Sequence, residues 1–124
     1  MKDFFIIGFI LFIVILGNNI TNTILEEDSG KIINVLNYLK ENMENKEIAQ
    51  QKADEVYDLW LGTEEKWSII VDHQELDMIK TAILTTKAAI KVEDVEEGYE
   101  QIENSIFLVG HIKDKIKVDL QNIF

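Results

Sequence analysis

Phe4-Phe5-Ile6-Ile7-Gly8-Phe9-Ile10-Leu11-Phe12-Ile13-Val14-Ile15-Leu16 is a block without a polar side chain. Twelve of its residues are Phe, Ile, Leu or Val, and no charged residue occurs between Asp3 and Glu26. As a helix, residues 4–17 rise only about 21 Å, short of the ~30 Å hydrocarbon core of a bilayer. Continuing through Ile20 to Leu25 lengthens the helix to about 33 Å, with Asn18, Asn19, Asn22 and Thr23 toward one interface. Twelve such side chains favour insertion by about 4–7 kcal/mol, which offsets Gly8 and a few Asn residues near the end.

Three readings of this segment compete. A cleaved secretory signal suits Lys2 and the apolar run. No small-x-small pair follows, however, and the nearest, Thr21-Asn22-Thr23, is a poor site. A core helix at the edge of a small domain should be amphipathic, and this segment is apolar on every face. The sequence therefore favours an uncleaved signal-anchor over residues 1–25, contacting the membrane through residues 4–25 and carrying a domain over residues 26–124. Lys2 favours the near end inside, which places the domain outside the cytoplasm, although Lys31 and Lys40 lie within reach of the far end.

The domain is acidic. The net charge is −11, from 23 Asp and Glu against 12 Lys, and Lys2 and Asp3 cancel within the anchor. Such a surface is repelled by nucleic-acid phosphates and anionic headgroups, and no Arg is present to grip phosphate in bidentate fashion. Nucleic acid is set aside as a partner. The absence of Cys excludes disulfides, thiolate catalysis and cysteine-ligated metals. The absence of Pro leaves long helices unobstructed.

Beyond residue 28 the apolar period becomes helical. Ile32, Leu36, Leu39 and Met43 mark a helix over about 29–43; Ala49, Ala53, Val56 and Trp60 mark one over about 46–61. Gly62 reads as a stop, with the alternative that one helix runs through it. Trp67, Ile70 and Val71, then Leu76, Ile79, Ile83, Thr86 and Ile90, mark a helix over about 64–91. Val95, Tyr99, Ile102, Ile106 and Val109 mark one over about 94–113. Ile116, Val118 and Leu120 then alternate, which reads as an extended tail, packed or frayed, with Ile123-Phe124 docked on the helices. The expected fold class is all-α: an N-terminal transmembrane helix followed by an antiparallel bundle of about four helices.

The densest polar cluster is Asp72-His73-Gln74-Glu75-Leu76-Asp77. His73 and Asp77 share a helix face, and antiparallel helices would bring His111 to the same end of the bundle. A His–His–carboxylate metal site is thus the one candidate constellation, without the paired Glu-x-x-His of di-iron bundles or the His-Glu-x-x-His of zinc proteases. The structural reading is stronger: His73 caps or bridges to Asp77 and Glu75, and His111 binds a carbonyl or the tail. No cofactor is expected. Ser68 and Ser105 have no activating context, so no nucleophilic site is assigned. Trp60 and Trp67 read as core rather than as an aromatic ligand surface. Glu26-Glu27-Asp28 and the acids of 93–97 read as solvated faces, with weak cation binding as the alternative.

Lys66-Trp67-Ser68-Ile69-Ile70-Val71-Asp72-His73-Gln74-Glu75-Leu76-Asp77 resembles the central motif of the domain-of-unknown-function family 4363. Phe107-Leu108, His111-Ile112 and Leu120-Gln121-Asn122-Ile123-Phe124 are similar to that family's C-terminal pattern, except that Lys113-Asp114 stands where a Pro is expected. The resemblance covers nearly the whole chain. It implies a small membrane-attached helical protein of Gram-positive, spore-forming bacteria, an accessory beside polytopic membrane proteins. It brings no activity and no catalytic residues. The reading is of a non-enzymatic binding protein at the cell envelope, with a divalent-metal-binding or sensing domain using His73, Asp77 and His111 as the alternative.

Overall fold

Four helices account for nearly all of the described residues: α1 (Lys2–Glu41), α2 (Lys46–Trp67), α3 (His73–Lys91) and α4 (Val95–Ile123). The structure is a computed structural model that describes residues 2–123, apart from the side chains of residues 120, 121 and 123. α1 packs on α2 and α4, and α3 packs on the same two, with no diagonal pairing among the described residues. Ion pairs set the directions. Glu26 meets Lys117 and Lys40 meets Glu103, so α1 and α4 are antiparallel. Lys87 meets Asp54 and Lys80 meets Glu64, so α2 and α3 are too. The result is the expected all-α, up-down-up-down bundle.

The apolar N-terminal stretch and the first bundle helix are one element. α1 has 40 residues, about 60 Å of uninterrupted helix. None of its apolar stretch is buried, and it is long and apolar enough to cross a membrane. From Leu25 onward a stripe of Leu25, Ser29, Ile32, Leu36 and Leu39 is buried in the bundle. The polar run at 26–30 does not break the helix. Asn22 bonds Asn18 and Ser29 Oγ donates to the Leu25 carbonyl, each one turn back.

α2 begins on Asn45, whose side chain accepts the Ile48 N–H at 3.3 Å. It does not end at Gly62. The buried positions Ala49, Ala53, Val56, Trp60, Thr63 and Trp67 keep the 4-3-4-3-4 spacing straight through the glycine, which lies on the solvent face. Tertiary packing of Trp67 outweighs the modest helix penalty of one glycine. Trp67 thus closes α2 rather than opening α3.

α3 starts at His73, nine residues later than the sequence suggested. Asp72 is its N-cap, accepting from the Gln74 N–H, and buried Val71 and Leu76 stand at the spacing of a hydrophobic staple. At the other end the Asp94 N–H reaches the Ala89 carbonyl and the Glu93 N–H the Ile90 carbonyl, with Glu93 at φ 59°. This is a Schellman closure in which Glu occupies the left-handed position usually held by Gly. Asp94 then caps α4 through the Glu97 N–H.

α4 continues ten residues beyond the expected 113. The spacing Ile102, Ser105, Val109, Ile112, Ile116 is helical throughout, and exposed Val118 falls on the outer face. Alternation over three positions had suggested an extended tail, and the longer stripe overrides it. Docking of Ile123-Phe124 falls outside the described residues.

Candidate functional site

The 12-residue motif from Lys66 to Asp77 spans the end of α2, the turn at 68–72 and the start of α3. Because α2 runs antiparallel to α1, this turn sits where α1 leaves the bundle toward its apolar half. The end of α4 lies at the same level, as the Lys117–Glu26 contact at 3.1 Å shows.

A buried polar cluster locks this end. Asp28 is only 6% exposed. One carboxylate oxygen accepts the Trp67 indole N–H at 3.3 Å and the other meets Lys66 Nζ at 3.0 Å. A buried carboxylate is costly unless its lone pairs are filled, and here the indole and the ammonium fill both oxygens. Trp67 in turn meets Trp60 edge-to-face, with ring centroids 5.9 Å apart. Both indoles are fully buried, so they are core and not a ligand surface. Beside the cluster lies a shallow groove of about 230 Å³, lined by Asp28, Lys31, Asp58, Gly62 and Lys66 among others.

Sequence reasoning placed Asp28 on a solvated acidic face. The structure buries it and pairs it with Lys66 and Trp67, the first two residues of the motif. The available signal was spacing: Asp28 falls between Leu25 and Ile32 on the apolar stripe, whereas Glu26 and Glu27 do not.

The turn itself is apolar and open. Ser68 caps α2, its N–H bonding the Glu64 carbonyl and its Oγ the Glu65 carbonyl. Ile70 and Val71 N–H groups both return to the Trp67 carbonyl. Val71 turns inward, whereas Ile69 is 86% exposed and Ile70 39%.

His73, Asp77 and His111 are all exposed. His73 lies two residues before Glu75, which meets Lys115 at 2.8 Å; His111 lies one turn before Lys115. The antiparallel register therefore offsets the two histidines by about 9 Å along the bundle. Among the described residues no three His, Asp or Glu side chains gather with metal-binding geometry. The His111 ring instead stacks on exposed Phe107, with centroids 5.7 Å apart. Glu75, expected near His73, serves Lys115, and that carboxylate's hydrogen bond and charge raise the Lys115 pKa above its ordinary 10.5. Buried Ser105 donates to the Gln101 carbonyl, one turn back in α4.

At the opposite end, Met43, Glu44, Lys46, Ala89, Ile90, Glu93, Asp94 and Val95 enclose a smaller groove of about 160 Å³. Gly98 lets the Met43 methyl pack against the α4 backbone there.

Neither the curated proteins nor the solved structures contain a match to this chain. A family model does match, over residues 19–123, and its description is "Domain of unknown function (DUF4363)". It begins within the uncharged half of α1 and takes in Asp28, the motif turn and α4, so the chain belongs to the DUF4363 family.

Proposed function

We propose that this protein is a non-catalytic, membrane-anchored binding protein of the bacterial cell envelope, an accessory to a polytopic membrane protein. One observation carries the anchoring: the uncharged half of α1 is bare of any protein cover, while the other half of the same helix forms one wall of the core. Leaving so many large side chains in water would forgo well over 10 kcal/mol, at roughly 1.5–3 kcal/mol each. A bilayer supplies the missing cover. The binding role is supported by a packed core with shallow surface grooves, and by the family resemblance in the motif. Lys2 ahead of the apolar run supports an exterior position for the bundle, against Lys31 and Lys40 beyond its far end.

The test uses the full chain in the membranes of its host. Alkaline carbonate should leave the protein in the pellet; release into the supernatant would defeat the anchor. A membrane-impermeant maleimide applied to intact cells should label Glu44→Cys, because the chain has no other Cys. Labelling only after lysis would reverse the orientation. A photo-crosslinking residue at exposed Met78 should give a discrete adduct with one polytopic protein, and absence of any specific adduct would remove the accessory role.

A further inference from the structure

The anchor is one helix with the bundle, so heights above the bilayer can be read along α1. The uncharged stretch starts at Phe4, and ~30 Å of hydrocarbon takes up about 20 residues of helix, reaching Thr23. Asp28 stands five residues higher, about 7–8 Å, which is the outer edge of the headgroup layer. Asp28 is bonded to Trp67, so Trp67 is at that height as well. Past Trp67 the chain runs on toward the bilayer before α3 turns back. Ile69, two residues on, therefore faces the interfacial layer.

Three further observations fit a lipid contact there. Ile69 is more exposed than any other described large apolar side chain, those of the bare half of α1 included. The backbone of the turn is fixed: Ser68, Ile70 and Val71 N–H groups are all bonded, and Val71 is seated in the core. The isoleucine is thus held out rather than dangling. Finally, part of the negative charge toward this end is offset. Glu26, Asp28 and Glu75 are each paired with a lysine, Lys117, Lys66 and Lys115, while Glu27, Asp72 and Asp119 are exposed and in no ion pair among the described residues. The pairing lowers, without abolishing, the repulsion from anionic headgroups.

We infer that the α2–α3 turn inserts Ile69, flanked by Ile70, into the outer interface of the bilayer as a second membrane contact. The inference rests on the anchored reading above and adds a fixed footprint to it. The turn meets the bilayer surface beside α1 and the end of α4, which lies at the same level, and so sets the bundle's rotation about the α1 axis. Burying one isoleucine is a small gain, and α1 supplies it at high effective concentration.

The experiment places an environment-sensitive fluorophore at single cysteines in the full chain, reconstituted in phosphatidylcholine–phosphatidylglycerol nanodiscs. Labels at Phe12→Cys, Ile69→Cys and Glu44→Cys report on the span, the turn and the far end. Lipids spin-labelled deep in the acyl chain should quench Phe12→Cys, and lipids labelled near the headgroup should quench Ile69→Cys. Glu44→Cys should keep its emission. A label at exposed Ser68→Cys, which leaves the core alone, gives a second reading of the turn with the same expectation. Loss of emission at Phe12→Cys with none at Ile69→Cys or Ser68→Cys would overturn the footprint and leave the anchor standing. No quenching at Phe12→Cys would overturn the anchor, and the footprint with it.

Discussion

Asp28 accepts the indole N–H of Trp67 across 39 residues of sequence, at 3.3 Å. This bond ties the start of the buried stripe of α1 to the last residue of α2. Asp28→Ala leaves a buried indole donor unpaired and should lower unfolding stability by about 2–3 kcal/mol, whereas Asp28→Asn keeps an acceptor and should cost under about 1.5 kcal/mol. Lys66 is more than half exposed, so Lys66→Met should cost less than Asp28→Ala. Denaturant titration of the full chain in detergent, followed by helical circular dichroism, reads these differences. Equal losses for Asp28→Ala and Asp28→Asn would show that the indole bond contributes nothing.

The two tryptophans should respond differently to Phe. Trp67 loses a hydrogen bond, and the Trp60 indole N–H is buried without a partner among the described residues. Both substitutions remove similar volume, so Trp67→Phe should be the more damaging by about 1 kcal/mol. In the Asp28→Ala background that difference should vanish, since the bond is already gone. The same titration tests it, and persistence of the gap would point to packing alone.

Gly62 lies inside α2, five residues before its end, with open space where a Cβ would go. Gly62→Ala should raise stability by about 0.5–1 kcal/mol through helix propensity alone. Gly98→Ala should not share this gain, because its Cβ would press on the Met43 methyl. A loss of stability in Gly62→Ala would mean that the glycine is needed for a bend absent from this helix.

These outcomes bear on how much of the fold was legible. Helical periodicity identified every bundle helix, because each buried stripe is long. It misplaced the α2–α3 boundary, since Gly62 looks like a terminator in a local window while Thr63 and Trp67 continue the stripe beyond it. It also missed the join between anchor and bundle: residues 26–30 look like a charged linker until Asp28 is seen turned inward. Pairing of Asp28 with Trp67 depends on two helices meeting, which no window of one helix reveals. The histidines show the converse. A shared end of the bundle was readable, but their offset in height and exposed directions were not.

His73→Ala combined with His111→Ala should change stability by no more than about 0.5 kcal/mol, because both rings are exposed. Zinc at micromolar concentration should leave the melting temperature of the parent chain unmoved. A rise that depends on both histidines would restore the metal site in some rearranged state.

The lysines that span helices set the alkaline response. Glu103 raises the Lys40 pKa and Glu75 raises that of Lys115, each chiefly through a side-chain hydrogen bond. A raised lysine value means the pair's contribution is full below the unfolded value of 10.5 and is lost as pH climbs through the folded one. Both side chains are exposed, so the effect is small. Melting temperature should therefore be flat between neutral and mildly alkaline pH, and decline only at stronger alkalinity. A decline setting in near pH 8 would assign the response to other groups.

The unbroken α1 also has a mechanical consequence. On the anchored reading proposed above, an α1 that stays helical where its bare and covered halves meet gives the bundle the lean of the span. Transmembrane helices tilt by about 20°, and the roughly 25 Å of α1 above the bilayer converts that lean into about 9 Å of lateral travel at the Glu41 end. A thinner or thicker bilayer would thus swing the far groove sideways, making the domain a pointer whose bearing is set by the lipid around its root.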